Sequence, residues 1–153
     1  MTTLNVIFLV FGILFFVLFI LFVVFRLVFR MMKKRREKFL QDPMFRHIEL
    51  SDGMANFFGT SSLTRGQIRG NGLLAITNEA LVFKMYAGQR EINVPLRDLI
   101  SVDTADSFMG KTIFRKLLQV TYKTMSGEET SAWFVKDIDS WIEKINTHLP
   151  KQY

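Results

Sequence analysis

Leu4–Phe25 reads LNVIFLVFGILFFVLFILFVVF, an apolar run without one charged side chain, closed by Arg26, Arg30, Lys33, Lys34, Arg35, Arg36 and Lys38. As a helix, these 22 residues rise about 33 Å at about 1.5 Å each, enough to cross a hydrocarbon core about 30 Å thick. Asn5 is the one strongly polar residue and lies at the end, within reach of headgroups. A soluble helix of this length without a polar face does not suit so small a protein. A cleaved signal peptide would carry basic residues before its apolar core and small residues at a cleavage site. Here Met1-Thr2-Thr3 has no charged side chain, and Val24-Phe25-Arg26-Leu27 offers nothing to cut. The expectation is a retained transmembrane helix over residues 1–30, with Leu4, Phe8, Phe15, Phe22 and Phe25 among its membrane-facing side chains.

The collar orients the span. Lys and Arg close to a transmembrane segment stay on the cytoplasmic side, and all seven follow the helix while none precedes it. The reading is therefore a single-pass protein of the cell membrane, amino terminus outside, with the rest of the chain in the cytoplasm. The same seven cations are placed to meet an anionic leaflet. They also account for the net charge of +6, since residues 26–38 hold seven basic side chains and only Glu37 on the acidic side. From Gln41 onward thirteen basic and thirteen acidic side chains cancel. A nucleic-acid-binding domain carries its own basic face, so nucleic acid is not an expected partner. The chain has no cysteine, which removes disulfides, thiolate chemistry and Cys-ligated metals.

Past the collar, residues 31–52 read as a basic juxtamembrane connector, with Pro43 breaking any continuation of the helix. Residues 53–149 read as one domain and 150–153 as a tail. Leu73–Thr77 and Ala80–Tyr86 form a hairpin around Asn78-Glu79. Ile92 and Val94 lie in a strand that Pro95 either ends or marks as an edge, and Leu99–Asp103 make another. Leu118, Val120 and Tyr122 alternate with polar neighbours, as a half-buried strand does, and Thr130–Val135 returns after Ser126-Gly127. The period then changes: Ile138, Trp141, Ile142, Ile145 and Leu149 share one helical face behind Asp137 as cap, and Pro150 stops the helix. The spacing predicts about seven short antiparallel strands and one closing amphipathic helix.

This order resembles the pleckstrin-homology-like superfold, within it the GRAM and bacterial PH-like domains. Gly72-Leu73-Leu74-Ala75-Ile76-Thr77 running into Leu81-Val82-Phe83 is similar to the family's "G-x-L-x-I-T-x-x-x-L-V-F" hairpin. Val94-Pro95-Leu96-Arg97-Asp98-Leu99 is similar to its "I-P-L-x-D-I" step, and Trp141 to the Trp of its last helix. The resemblance implies a mainly β PH-like domain whose helix plugs one end of a bent sheet, with Trp141 packed in the mouth as a structural residue. It also implies a lipid site, but phosphoinositide-binding members use several cations between the first two strands. The matching region, residues 59–69, has only Arg65 and Arg69.

No catalytic, cofactor-binding or metal-binding residues emerge. His47 and His148 lack metal-ligand spacing, and the glycines of Arg65–Gly72 lead into a strand rather than into the helix a phosphate-binding loop needs. The segment Asp106–Lys116 is the suggestive one: Phe108, Met109, Ile113 and Phe114 are mixed with Lys111, Arg115 and Lys116. Either these apolar side chains belong to the core, or the loop touches membrane or a protein partner. Phe8, Phe15, Phe22 and Phe29 recur every seven residues, a period that holds them on one helix face. That face is either bulk for lipid or a surface for another helix. The expected function is a non-catalytic membrane-anchored interaction module, an accessory subunit or adaptor of a membrane protein complex. The alternative is a module that binds anionic lipid.

Overall fold

The computed structural model describes residues 2–63 and 67–149; Arg65, the tail and Pro150 lie outside the described residues. The chain divides into two compact units, Met1–Glu37 and Lys38–Tyr153.

The first helix, α1, runs Thr3–Leu40 and none of its side chains is buried. It is longer than the expected span because Met31–Leu40 is rich in Met, Lys, Arg, Glu and Leu, all strong helix formers. What ends it is Pro43, which opens a 3₁₀ turn, Pro43–Phe45, capped by the Asp42 carboxylate accepting from Met44 N–H at 3.2 Å. The connector expected over 31–52 is thus mostly helix at one end and strand at the other.

Seven strands follow: β1 (Ile48–Thr60), β2 (Gly70–Thr77), β3 (Ala80–Met85), β4 (Glu91–Pro95), β5 (Leu99–Ala105), β6 (Leu117–Thr124) and β7 (Gly127–Phe134). They form one antiparallel sheet in the order β4-β3-β2-β1-β7-β6-β5. Strand β1 joins its two halves: Ile48 to Phe57 pairs with β2, and Asn56 to Thr60 pairs with β7. Register shifts fall between Asp52 and Ala55 and between Phe57 and Gly59, and bulges of this kind bend a strand. Gly59 has φ +143°, outside the range of ordinary side chains. At the β2–β3 turn the buried Thr77 hydroxyl accepts from Ala80 N–H at 3.0 Å, closing the expected hairpin around Asn78-Glu79.

The main core lies on the inner face. Phe57, Phe83 and Trp133 form an aromatic trio with ring centroids 5.3–6.0 Å apart. Leu74, Ile76, Leu81, Leu118, Val120 and Tyr122 surround it. The closing helix α2 (Ile138–His148) packs on β5 and β6. Its cap is Asp137, which accepts from Ser140 N–H at 3.2 Å. Trp141 and Ile145 enter the core, with Ile138, Ile142 and Leu149 at its margin. Glu49, at the start of β1, holds the far end of α2 through His148 at 2.9 Å and Lys144 at 3.4 Å. The His148 contact, above all, lowers the Glu49 pKa. A second, smaller cluster of Phe58, Phe108, Leu117 and Ala132 is separate from the main core, with Ile113 and Phe134 against it.

Candidate interaction surface

The β5–β6 connection makes a tight turn in which Phe108 N–H donates to Lys111 O at 2.9 Å and Lys111 N–H to Phe108 O at 3.0 Å. Between them Met109 and Gly110 both have positive φ, +51° and +74°, the geometry of a primed turn. Phe108 is buried under this turn and Ile113 is half-buried in the same small cluster. Phe114, at φ +57°, is 96% exposed, and Met109 is 40% exposed. The two sequence readings of this segment therefore apply to different residues: Phe108 and Ile113 pack inward, while Met109 and Phe114 face solvent.

Its cations divide likewise. Lys111 donates to Phe58 O at 3.4 Å, the Arg115 guanidinium lies 5.7 Å from the centre of the Phe134 ring, and Lys116 pairs with Asp106 at 2.9 Å. The β1–β2 loop meets the same place. Arg69 stacks over the Phe58 ring at 3.7 Å, and Gln67 Nε2 donates to Met109 Sδ at 3.6 Å. Gln67 is itself clamped to Thr60, accepting from its N–H and donating to its carbonyl, both at 2.6 Å, and it also donates to Leu63 O. The loop also presents Ile68, 77% exposed, which lines the cleft shared with the β3–β4 turn. Sequence reasoning alone misses Ile68. The signal for it is a lone β-branched apolar residue between Gly66-Gln67 and Arg69-Gly70.

On its other side the β1–β2 loop borders an open cleft of about 490 Å³, shared with the β3–β4 turn and floored by Met85. Arg90 is the one cation among its described lining residues, and Glu91 in its wall pairs with Lys84 at 3.1 Å. Such a charge balance suits an anionic headgroup poorly.

The other polar groups serve the fold. Asp42 pairs with Lys84 at 2.8 Å; this hydrogen bond holds the Asp42 carboxyl below its usual range and the Lys84 ammonium above its own. Tyr122 OH bonds Ser131 Oγ at 2.8 Å, and burial pushes the phenol up to about 12. Among the described residues no group of three or more His, Asp or Glu side chains is arranged to hold a metal ion. His47 sits at φ +52° in the connector, its carbonyl accepting from Asn78 N–H at 3.3 Å.

No protein-family model matches the chain, and no curated protein matches it. Among solved structures it is similar to the crystal structure of the C-terminal domain of an unknown protein from Leishmania infantum, at a TM-score of 0.51 and 15% identity. The alignment covers 76% of this chain and 95% of that one, a likeness of fold alone.

Proposed function

We propose that this is a non-catalytic single-pass membrane protein that holds a PH-like domain in the cytoplasm as an interaction module, as an accessory subunit or adaptor of a membrane protein complex. The carrying observation is α1, with 22 uncharged residues and no buried side chain, followed at once by seven cations. An apolar rod of that length has no stable place in water, and its one-sided collar suits the cytoplasmic leaflet. Support for the PH-like reading comes from the order of seven antiparallel strands and one closing helix, with Trp141 in the core. The Phe8, Phe15, Phe22 and Phe29 face of α1 offers a neighbouring helix a contact within the bilayer.

Two measurements test this. Carbonate washing should leave the full chain in the membrane, and protease should digest the domain only after the membrane is opened. Digestion from outside intact cells would reverse the topology. Purification in mild detergent should recover a stable membrane partner, which is lost when the four phenylalanines of the stripe become leucine. A chain recovered alone from native membranes removes the adaptor role. A second reading, contact with anionic lipid, is favoured by the three cations of residues 106–116, the segment that carries Phe114.

A further inference from the structure

We propose that the β5–β6 connection presenting Met109 and Phe114 seats in the anionic leaflet of the membrane that anchors α1, with Phe114 as an aromatic wedge. This rests on the membrane-anchored reading and adds a second point of contact to it.

Phe114 is almost fully exposed and held at positive φ, a costly conformation for a bulky side chain. Its backbone is nonetheless pinned. Its N–H donates to Thr112 Oγ1 at 3.0 Å, and that hydroxyl donates to Asp106 O at 2.8 Å. Phe108 roots the whole turn in the small cluster around Phe58. The backbone that carries Phe114 is thus fixed before any contact, so seating the ring does not require the loop to be ordered.

Charge names the occupant. The chain from Gln41 onward is neutral, yet residues 106–116 carry three cations against Asp106 alone, and Arg69 adds a fourth beside them. A protruding apolar side chain among cations matches a fluid apolar layer beneath anionic headgroups. It does not present the continuous apolar patch that a stable protein interface uses.

The absence of native cysteine makes the test clean, because Phe114→Cys accepts a single environment-sensitive fluorophore. The full chain is reconstituted through its own helix into phosphatidylcholine vesicles with or without phosphatidylserine, with nitroxide quenchers on the acyl chains. A label at 114 should be quenched in the vesicles containing phosphatidylserine. A label at Met125→Cys, fully exposed in the β6–β7 turn at the other end of β6, should not. Lys111→Gln and Arg115→Gln should each lower the seated-to-free ratio about fivefold, equivalent to about 1 kcal/mol per cation. With the label moved to Met109→Cys, Phe114→Ser should remove quenching there. A label at 114 quenched no more than at 125, in protein that resists carbonate, overturns the wedge and leaves the anchor intact. Equal quenching without phosphatidylserine overturns the anionic requirement. A photocrosslinker at 114 that captures protein rather than lipid in native membranes overturns the assignment of the surface. Chain that washes out with carbonate overturns the anchored reading itself.

Discussion

The rings of Phe39 and Tyr86 stack with centroids 5.5 Å apart and planes 17° from parallel, so the last turn of α1 is folded into the β domain. Lys84 lies 5.3 Å over the same Phe39 ring and pairs with Asp42, and Tyr86 OH donates to Gly53 O at 2.7 Å. Helix end, connector and β3 thus form one latch on the domain.

Lys84→Met should loosen that latch by roughly 0.5–1 kcal/mol, because both partners are a quarter to a third exposed. The pH dependence follows from the signs. The depressed Asp42 pKa stabilises the fold above its ordinary value of 3.8 and is lost as pH falls through the lower folded value. The raised Lys84 pKa stabilises below 10.5 and is lost as pH rises through the higher folded value. Thermal melts of wild type and variant should differ most between about pH 4 and 10 and converge in acid. A gap that persists undiminished at pH 2 would mean the pair is not the source.

Trp141 is 2% exposed within the main core beside Ile145. Trp141→Ala should cost about 3–5 kcal/mol, a large part of a small domain's total stability. Thermal melts of the full chain in detergent will read this directly. A midpoint within a degree or two of wild type would show that α2 is not packed into the sheet.

A Cβ on Gly72 would sit 2.4 Å from Lys84 O and 2.6 Å from the Phe83 ring, and Gly72 pairs with both Ala55 and Met85 in the sheet. Because the nearest obstacle is backbone, the sheet itself must shift. Gly72→Ala should therefore destabilise by about 1–3 kcal/mol, whereas Gly12→Ala, with nothing within 4 Å, should leave the domain's melt unchanged.

Tyr122 should resist ionisation. Its folded pKa lies above the ordinary 10.0 at about 12, so its contribution is complete below pH 10 and disappears as pH rises towards 12. Ultraviolet titration should show a late tyrosine step, and Tyr122→Phe should remove it. The substitution should also cost about 1 kcal/mol by leaving the buried Ser131 hydroxyl without its partner.

Elements with strong local periodicity are legible in the amino-acid sequence alone. The apolar run to Phe25, the Thr77–Ala80 hairpin, the Leu118-Val120-Tyr122 alternation and the Asp137-capped helix each repeat their pattern over adjacent residues, and side-chain direction follows from chain geometry. Beyond those patterns the sequence does not decide where β1 begins. Asp52 interrupts its apolar alternation, and the strand is defined by its two partners, β2 on one side and β7 on the other. Nor does it divide Asp106–Lys116. Phe108 and Phe114 are the same residue type six positions apart. What separates them is the cluster of Phe58, Leu117 and Ala132, drawn from three strands, which closes over one ring and leaves the other in solvent. Burial of that kind depends on contacts between residues distant in sequence. No local propensity encodes it, so only the tertiary structure leaves Met109 and Phe114 exposed while burying Phe108.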